Sequence, residues 1–121
     1  MKPNVKLLRK VRDLIAEEPR RLRMGTWGQR WTKRDLKNWP TLPPCGTTGC
    51  LAGHIVMAHR GTLRGLFRMG VIRERLNGEH ISRVAARLIG IPRESCPFNE
   101  IFWGKDEVLA WIDRQIDAAT K

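Results

Sequence analysis

CGTTGCLAGHIVM, residues 45–57, crowds two cysteines, a histidine, three glycines and two threonines against a run of apolar side chains. Continued to Gly61, the stretch from Thr48 is apolar on nearly every face of a helix. A helix of that kind belongs in the middle of a core. Thr48 suits its N-cap and Gly61 its stop, which predicts a central buried helix over about 48–60. Gly49, Ala52 and Gly53 are small and would let a second backbone come close. Gly53 costs a helix about 1 kcal/mol against alanine, so close packing is its expected compensation.

The same residues offer two other chemistries. Cys45, Cys50, His54 and His59, with His80 and Cys96 further along, are candidate metal ligands. Structural zinc needs four ligands at tetrahedral positions. Cys50 and His54 share a helix face, but His59 falls on the opposite one at about 100° per residue. The spacing of Cys45, Cys50, His54 and Cys96 therefore matches no strong zinc pattern. A thiol at a helix start can also be activated by the dipole, with His54 as a base one turn on. A nucleophile further needs an oxyanion site and an orienting partner, and the sequence names neither. The remaining reading makes Gly46 and Gly49 the turn into a buried helix, Cys45 and Cys50 small core residues, and His54 a hydrogen-bonded, half-buried side chain. A zinc or thiol module on Cys45, Cys50 and His54 is the alternative to it, and a Cys45–Cys50 bridge stays open.

Outward from the centre, Leu8, Val11 and Ile15 repeat at helical spacing and predict a helix over about 4–18, opened by Pro3 and ended by Pro19. Residues 19–44 hold three tryptophans and four prolines, so they read as an irregular segment with room for one short helix, Thr32 to Asn38. Residues 62–81 offer at most a short hairpin, with "VIRERL" as an arm and Asn77-Gly78 as its turn. Helices follow between about 82 and 119: one capped by Ser82, a helical turn presenting Phe98, Ile101 and Phe102, and a last helix capped by Asp106 with Val108, Leu109, Ile112 and Ile116 as its stripe. The sum is a mainly α, single-domain bundle of four to five helices.

The chain has 121 residues, enough to bury a core without disulfides. Three cysteines are too few for a disulfide scaffold and favour a reducing compartment. No apolar run approaches a membrane span, and the charged N-terminus does not read as a signal peptide. Lys and Arg number 23 against 12 Asp and Glu, a net charge of +11. Residues 1–75 carry +12 and residues 76–121 carry −1. Such concentration suggests a polyanionic partner or an acidic protein surface. Residues 20–39 interleave Arg20, Arg21, Arg23, Arg30, Lys33, Arg34 and Lys37 with Trp27, Trp31 and Trp39. The cations would take phosphates and an exposed tryptophan would stack on an unpaired base. Trp27 reads as a core anchor, while Trp31 and Trp39 fit either role. Arg60, Arg64, Arg68, Arg73 and Arg75 form a second basic group. No helix-turn-helix or RNA-binding signature is present.

The motif Cys45, Gly46, Thr47, Cys50, Ala52, Gly53 and His54 resembles the core motif of a family of small, functionally uncharacterised phage, prophage and bacterial proteins. The likeness extends to Pro19, Leu22, Met24 and Trp27 before it, and to Ile89, Gly90, Ile91 and then Ile101, Phe102 and Trp103 after it. Leu22 stands where that pattern has Phe, and the spacer between Trp27 and Cys45 is longer and more basic. The resemblance implies a compact helical accessory protein in the cytoplasm of a bacterial host, with no catalytic residues. Together these readings predict a non-enzymatic binding protein with no cofactor. Its partner is expected to be nucleic acid, or an acidic host protein or ribonucleoprotein complex handling it, and an anti-defence (anti-CRISPR-like) role is plausible by analogy. The working surface is expected at Arg20, Arg21, Arg23, Arg30, Trp31, Lys33, Arg34 and Lys37, supported by Arg60, Arg64 and Arg68.

Overall fold

Four helices bury their apolar stripes against one another in the computed structural model, which describes residues 2–39, 47–60, 67–68, 71–72, 74–76 and 78–121. Cys45, Gly46, Gly61, Arg64, Arg73 and Asn77, on which expectations fall, lie outside them. The helices are α1 (Val5–Glu17), α3 (Leu51–Arg60), α4 (Ile81–Ile89) and α5 (Lys105–Thr120), with the short α2 (Lys33–Asn38) outside the cluster. The protein is a mainly α, small single domain, and no helix among the described residues is long and apolar enough to cross a membrane.

Helix α3 is the centre of the core. Leu51, Ala52, His54, Ile55, Val56 and Ala58 are all buried, as an all-round apolar helix requires. It packs on α4 and α1, while α1 also packs on α5. Helix α1 contributes Leu7, Leu8, Val11 and Ile15, and α5 contributes Val108, Ile112 and Ile116. Trp111 joins that α5 face, a core position the apolar stripe read from the sequence had left out. At the ends of this layer Lys10 donates to the Ala58 carbonyl at 2.9 Å, and Arg12 meets Asp113 at 3.2 Å.

Asn4, next to the Pro3 expected at the helix start, caps α1 by accepting from the Leu7 amide at 3.1 Å. Two other caps differ from the sequence expectations. His80, not Ser82, caps α4: its Nδ1 accepts from the Ser82 amide at 3.1 Å, and Ser82 is buried. Gly104 precedes α5, and the Glu107 carboxylate accepts its amide at 3.0 Å, in place of a cap by Asp106. Gly90 ends α4 at φ 71°, a left-handed conformation that glycine adopts without strain. A Cβ there would also lie 2.3 Å from the Lys2 carbonyl oxygen, so the start of α1 sits directly on the end of α4.

Two-residue strands tie the remaining segments together. β1 (Gln29–Arg30), β2 (Thr47–Thr48), β3 (Phe67–Arg68) and β4 (Val71–Ile72) form antiparallel ladders in the order β2-β1-β4-β3. β5 (Arg75–Leu76) pairs with β6 (Glu79–His80), and Gly78 between them has φ 82°. The predicted arm "VIRERL" is thus divided between two ladders. Thr48 is in β2, so α3 begins later than the expected cap, at Leu51.

Candidate nucleic-acid interface

The backbone that approaches the small residues of α3 belongs to the tryptophan segment. A Cβ on Gly53 would lie 1.7 Å from the Trp27 carbonyl oxygen, and one on Gly49 2.9 Å from the same atom. Hydrogen bonds fix this crossing: the Arg23 amide donates to Gly49 O, the Gly49 amide to Arg21 O and the Cys50 amide to Thr26 O, each at 2.8 Å. The Ile72 amide donates to Gly28 O at 2.9 Å on the other side. Residues 21–30 therefore carry an ordered backbone, held between α3 and β4, instead of the wholly irregular path their composition suggests.

This anchored stretch delivers α2. Thr32 and Asp35 form a reciprocal cap: the Thr32 hydroxyl accepts from the Asp35 amide at 3.1 Å, and the Asp35 carboxylate accepts from the Thr32 amide at 3.1 Å. Asp35 is the only acid among residues 20–37, and its Oδ2 is directed into the cap. Lys33, Arg34 and Lys37 are exposed and make no ion pair among the described residues. Lys33 and Lys37 lie one turn apart on a shared face, with Arg34 beside them.

The tryptophans separate into distinct roles. Trp27 is half-buried, its ring edge-on to the His80 ring with centroids 5.1 Å apart. Trp31 is also half-buried, and its indole N–H donates to the fully buried Thr48 hydroxyl at 3.0 Å. Of the two roles the sequence allowed Trp31, this contact is that of a structural anchor. Trp39, directly after α2, is 61% exposed and supplies the accessible aromatic face.

The other predicted cations are dispersed. Arg23 is exposed. Arg20 bonds both carboxylate oxygens of Glu18, at 2.8 and 2.9 Å, and that guanidinium lowers the Glu18 pKa below the usual carboxylate range. Arg21 is half-buried with its Nε enclosed and unpartnered among the described residues. Arg30 lies in β1, Arg60 in the last turn of α3 and Arg68 in β3, with only their backbone elements described.

Cys50 and His54 are interior groups. The Cys50 sulfur accepts from the Gly53 amide at 3.5 Å and faces the Trp27 carbonyl at 3.8 Å. Burial pushes its thiol up to about 11, against the activating effect of the helix start. His54 is wholly buried, deeper than expected, and its Nδ1–H donates to the Cys50 carbonyl at 2.9 Å. Burial foremost, and secondarily the Arg21 charge, lower its pKa to about 4, so it is a neutral imidazole. Burial likewise raises Cys96 to about 12. No three His, Cys, Asp or Glu side chains converge as a metal site among the described residues, and Cys45 lies outside them.

One cluster escaped the sequence reading. Arg75, Arg83 and Arg93 come together along one open groove beside His80. Arg83 and Arg93 were concealed by counting charge along the chain, because they belong to the half whose balance is −1. Comparison with protein-family models, curated proteins and solved structures returns no match for this chain.

Proposed function

We propose that the protein is a non-catalytic binding protein whose α2 face engages the phosphate backbone of nucleic acid. The observation that carries this reading is the α2 surface itself. Lys33, Arg34 and Lys37 are exposed, without carboxylate partners among the described residues, beside exposed Trp39, while the one local acid is turned into the cap. Cations so placed neutralise phosphates and release counterions, and an accessible indole stacks on an unpaired base. The interior position and raised pKa of Cys50 support the binding reading over a thiol-based one.

The resemblance at Cys50, Ala52, Gly53 and His54 supports assigning the protein to phage or prophage accessory functions inside a bacterial host. There it would occlude a host nucleic-acid-handling complex, in the manner of an anti-defence inhibitor. The test is binding to labelled duplex DNA, single-stranded DNA and RNA, with Lys33→Glu/Arg34→Glu as the variant. Binding that the variant weakens about tenfold or more is the expected result. Binding that is absent, or equal in the variant, would remove the α2 face from the account. Recovery of one acidic host complex by pull-down would then redirect the same surface to protein.

A further inference from the structure

The groove beside His80 has a volume of about 720 Å³ and is lined by Arg75, Gly78, Glu79, His80, Arg83 and Arg93. His80 and Arg93 also line a second cavity of about 520 Å³, where Trp27, Glu94, Phe98 and Asn99 form the wall. The two adjoin at His80 and Arg93, so a cationic recess and an aromatic recess lie side by side.

The cationic recess is built from three separate elements. Arg75 comes from β5, Arg83 from α4 and Arg93 from the 3₁₀ turn Arg93–Ser95. All three are exposed, and none makes an ion pair among the described residues. Two carboxylates nearby have cationic or imidazole partners: Glu79, on the groove wall, pairs with Arg87, and Glu74 lies 3.4 Å from His80 Nε2. Among the described residues Arg75 donates to the Gly78 carbonyl, at 3.3 Å. Three guanidinium groups along one groove repel one another, and a multidentate oxyanion relieves that repulsion with forked hydrogen bonds. In the other recess, the Trp27 and His80 rings stand edge to face, at 80°, with Phe98 buried beside them. Those rings offer apolar contact to a planar heterocycle, while Glu94 and Asn99 offer an acceptor and an amide to its polar edge.

We propose that this pair of recesses binds a nucleoside phosphate, with the phosphate on Arg75, Arg83 and Arg93 and the base against Trp27, His80 and Phe98. The site uses none of the α2 residues and goes beyond the α2 reading. A free nucleotide and the 5′-phosphorylated end of a single strand present the same chemistry. The test is calorimetric titration of the full chain with adenosine 5′-monophosphate, and with a ten-nucleotide single strand carrying either a 5′-phosphate or a 5′-hydroxyl. Arg83→Glu/Arg93→Glu is expected to abolish mononucleotide binding, or to remove an advantage of about tenfold or more for the phosphorylated strand. Mononucleotide binding identifies a free nucleotide as the ligand, and a phosphate advantage without it identifies a strand end. Lys33→Glu/Arg34→Glu is expected to weaken both strands alike through α2, so the ratio between the phosphorylated and hydroxyl strands, which reads this site, does not follow the overall affinity. Arg93→Gln, a milder change on an exposed turn, is expected to weaken the same signal. The proposal is overturned if neither probe gives such a signal, or if the signal survives in the arginine variants.

Discussion

Gly53 and His54 are adjacent residues whose environments make opposite demands on substitution. Gly53 faces the Trp27 carbonyl so closely that an added Cβ would lie 1.7 Å from the oxygen. Gly53→Ala gains about 1 kcal/mol of helix propensity. It also forces backbone apart from backbone, at a cost of about 1–3 kcal/mol or more. A net loss of stability is expected in chemical denaturation, whereas Gly25→Ala, with open space around its Cβ position, is expected to be near neutral. His54 sets a pH dependence. Its folded pKa of about 4 is below the ordinary value of 6.5, so the unfolded chain takes up the proton first. Stability is then complete above about pH 6.5 and falls as pH drops toward 4, by about 2 kcal/mol between pH 7 and 5. Urea midpoints across that range should show the slope, and His54→Gln should flatten it. The sequence made the small residues of α3 legible as a close-approach surface because glycine in an apolar helix has few other uses. It did not disclose that the approaching backbone is that of Trp27, because a contact between residues 27 and 53 is set by the path of the intervening chain. The full burial of His54 was hidden for the same reason: its immediate neighbours permit a half-buried position as well.

At the scale of elements, α2 shows how local chemistry can specify a helix too short to persist alone. It has six residues, fewer than an isolated helix needs in water, so its cap and its anchored flank must hold it. Thr32→Ala removes the side-chain half of the cap and is expected to cost about 1 kcal/mol locally. Faster amide exchange at residues 33–38 would report that loss. Nucleic-acid binding should weaken with it although no charge changes, since Lys33, Arg34 and Lys37 are then no longer pre-arranged. Trp31 and Trp39 should separate cleanly. Trp31→Phe strips the Thr48 hydroxyl of its indole donor inside the core and is expected to lower stability by about 1 kcal/mol. Trp39→Ala touches an exposed side chain and should leave the denaturation midpoint in place. It should weaken single-strand binding by about 1–3 kcal/mol. The α2 boundaries were readable in advance, because Thr32 and Asp35 stand three residues apart in a capping pattern. The ladders of β1 to β4 were not, since two-residue strands leave no period-2 pattern to detect. Two helix caps failed for a related reason. His80 and Gly104 stand at the caps in place of Ser82 and Asp106, and that choice depends on where the preceding chain enters.

Across the whole molecule, the linear charge count and the folded charge distribution tell different stories. The balance of +12 in residues 1–75 drew attention to residues 20–37. Folding then divides those cations: Lys33, Arg34 and Lys37 collect on α2, Arg20 pairs with Glu18, and Arg21 turns partly inward. It also draws Arg83 and Arg93 out of an electrically quiet half to join Arg75. Helical content and the central place of α3 were readable, because periodicity and an all-round apolar run survive any topology. A site assembled from β5, α4 and a 3₁₀ turn was not, because only the tertiary fold places those segments together. The α2 account stands on electrostatics, so ionic strength is its most direct probe. The decisive measurement is the salt dependence of duplex binding by the native protein and by Lys33→Glu/Arg34→Glu/Lys37→Glu. A linear fall of log affinity with log salt is predicted, with a slope shallower by about three in the variant, near one unit per lost phosphate contact. Equal slopes for the two proteins would contradict the assignment of the phosphate-binding surface to α2.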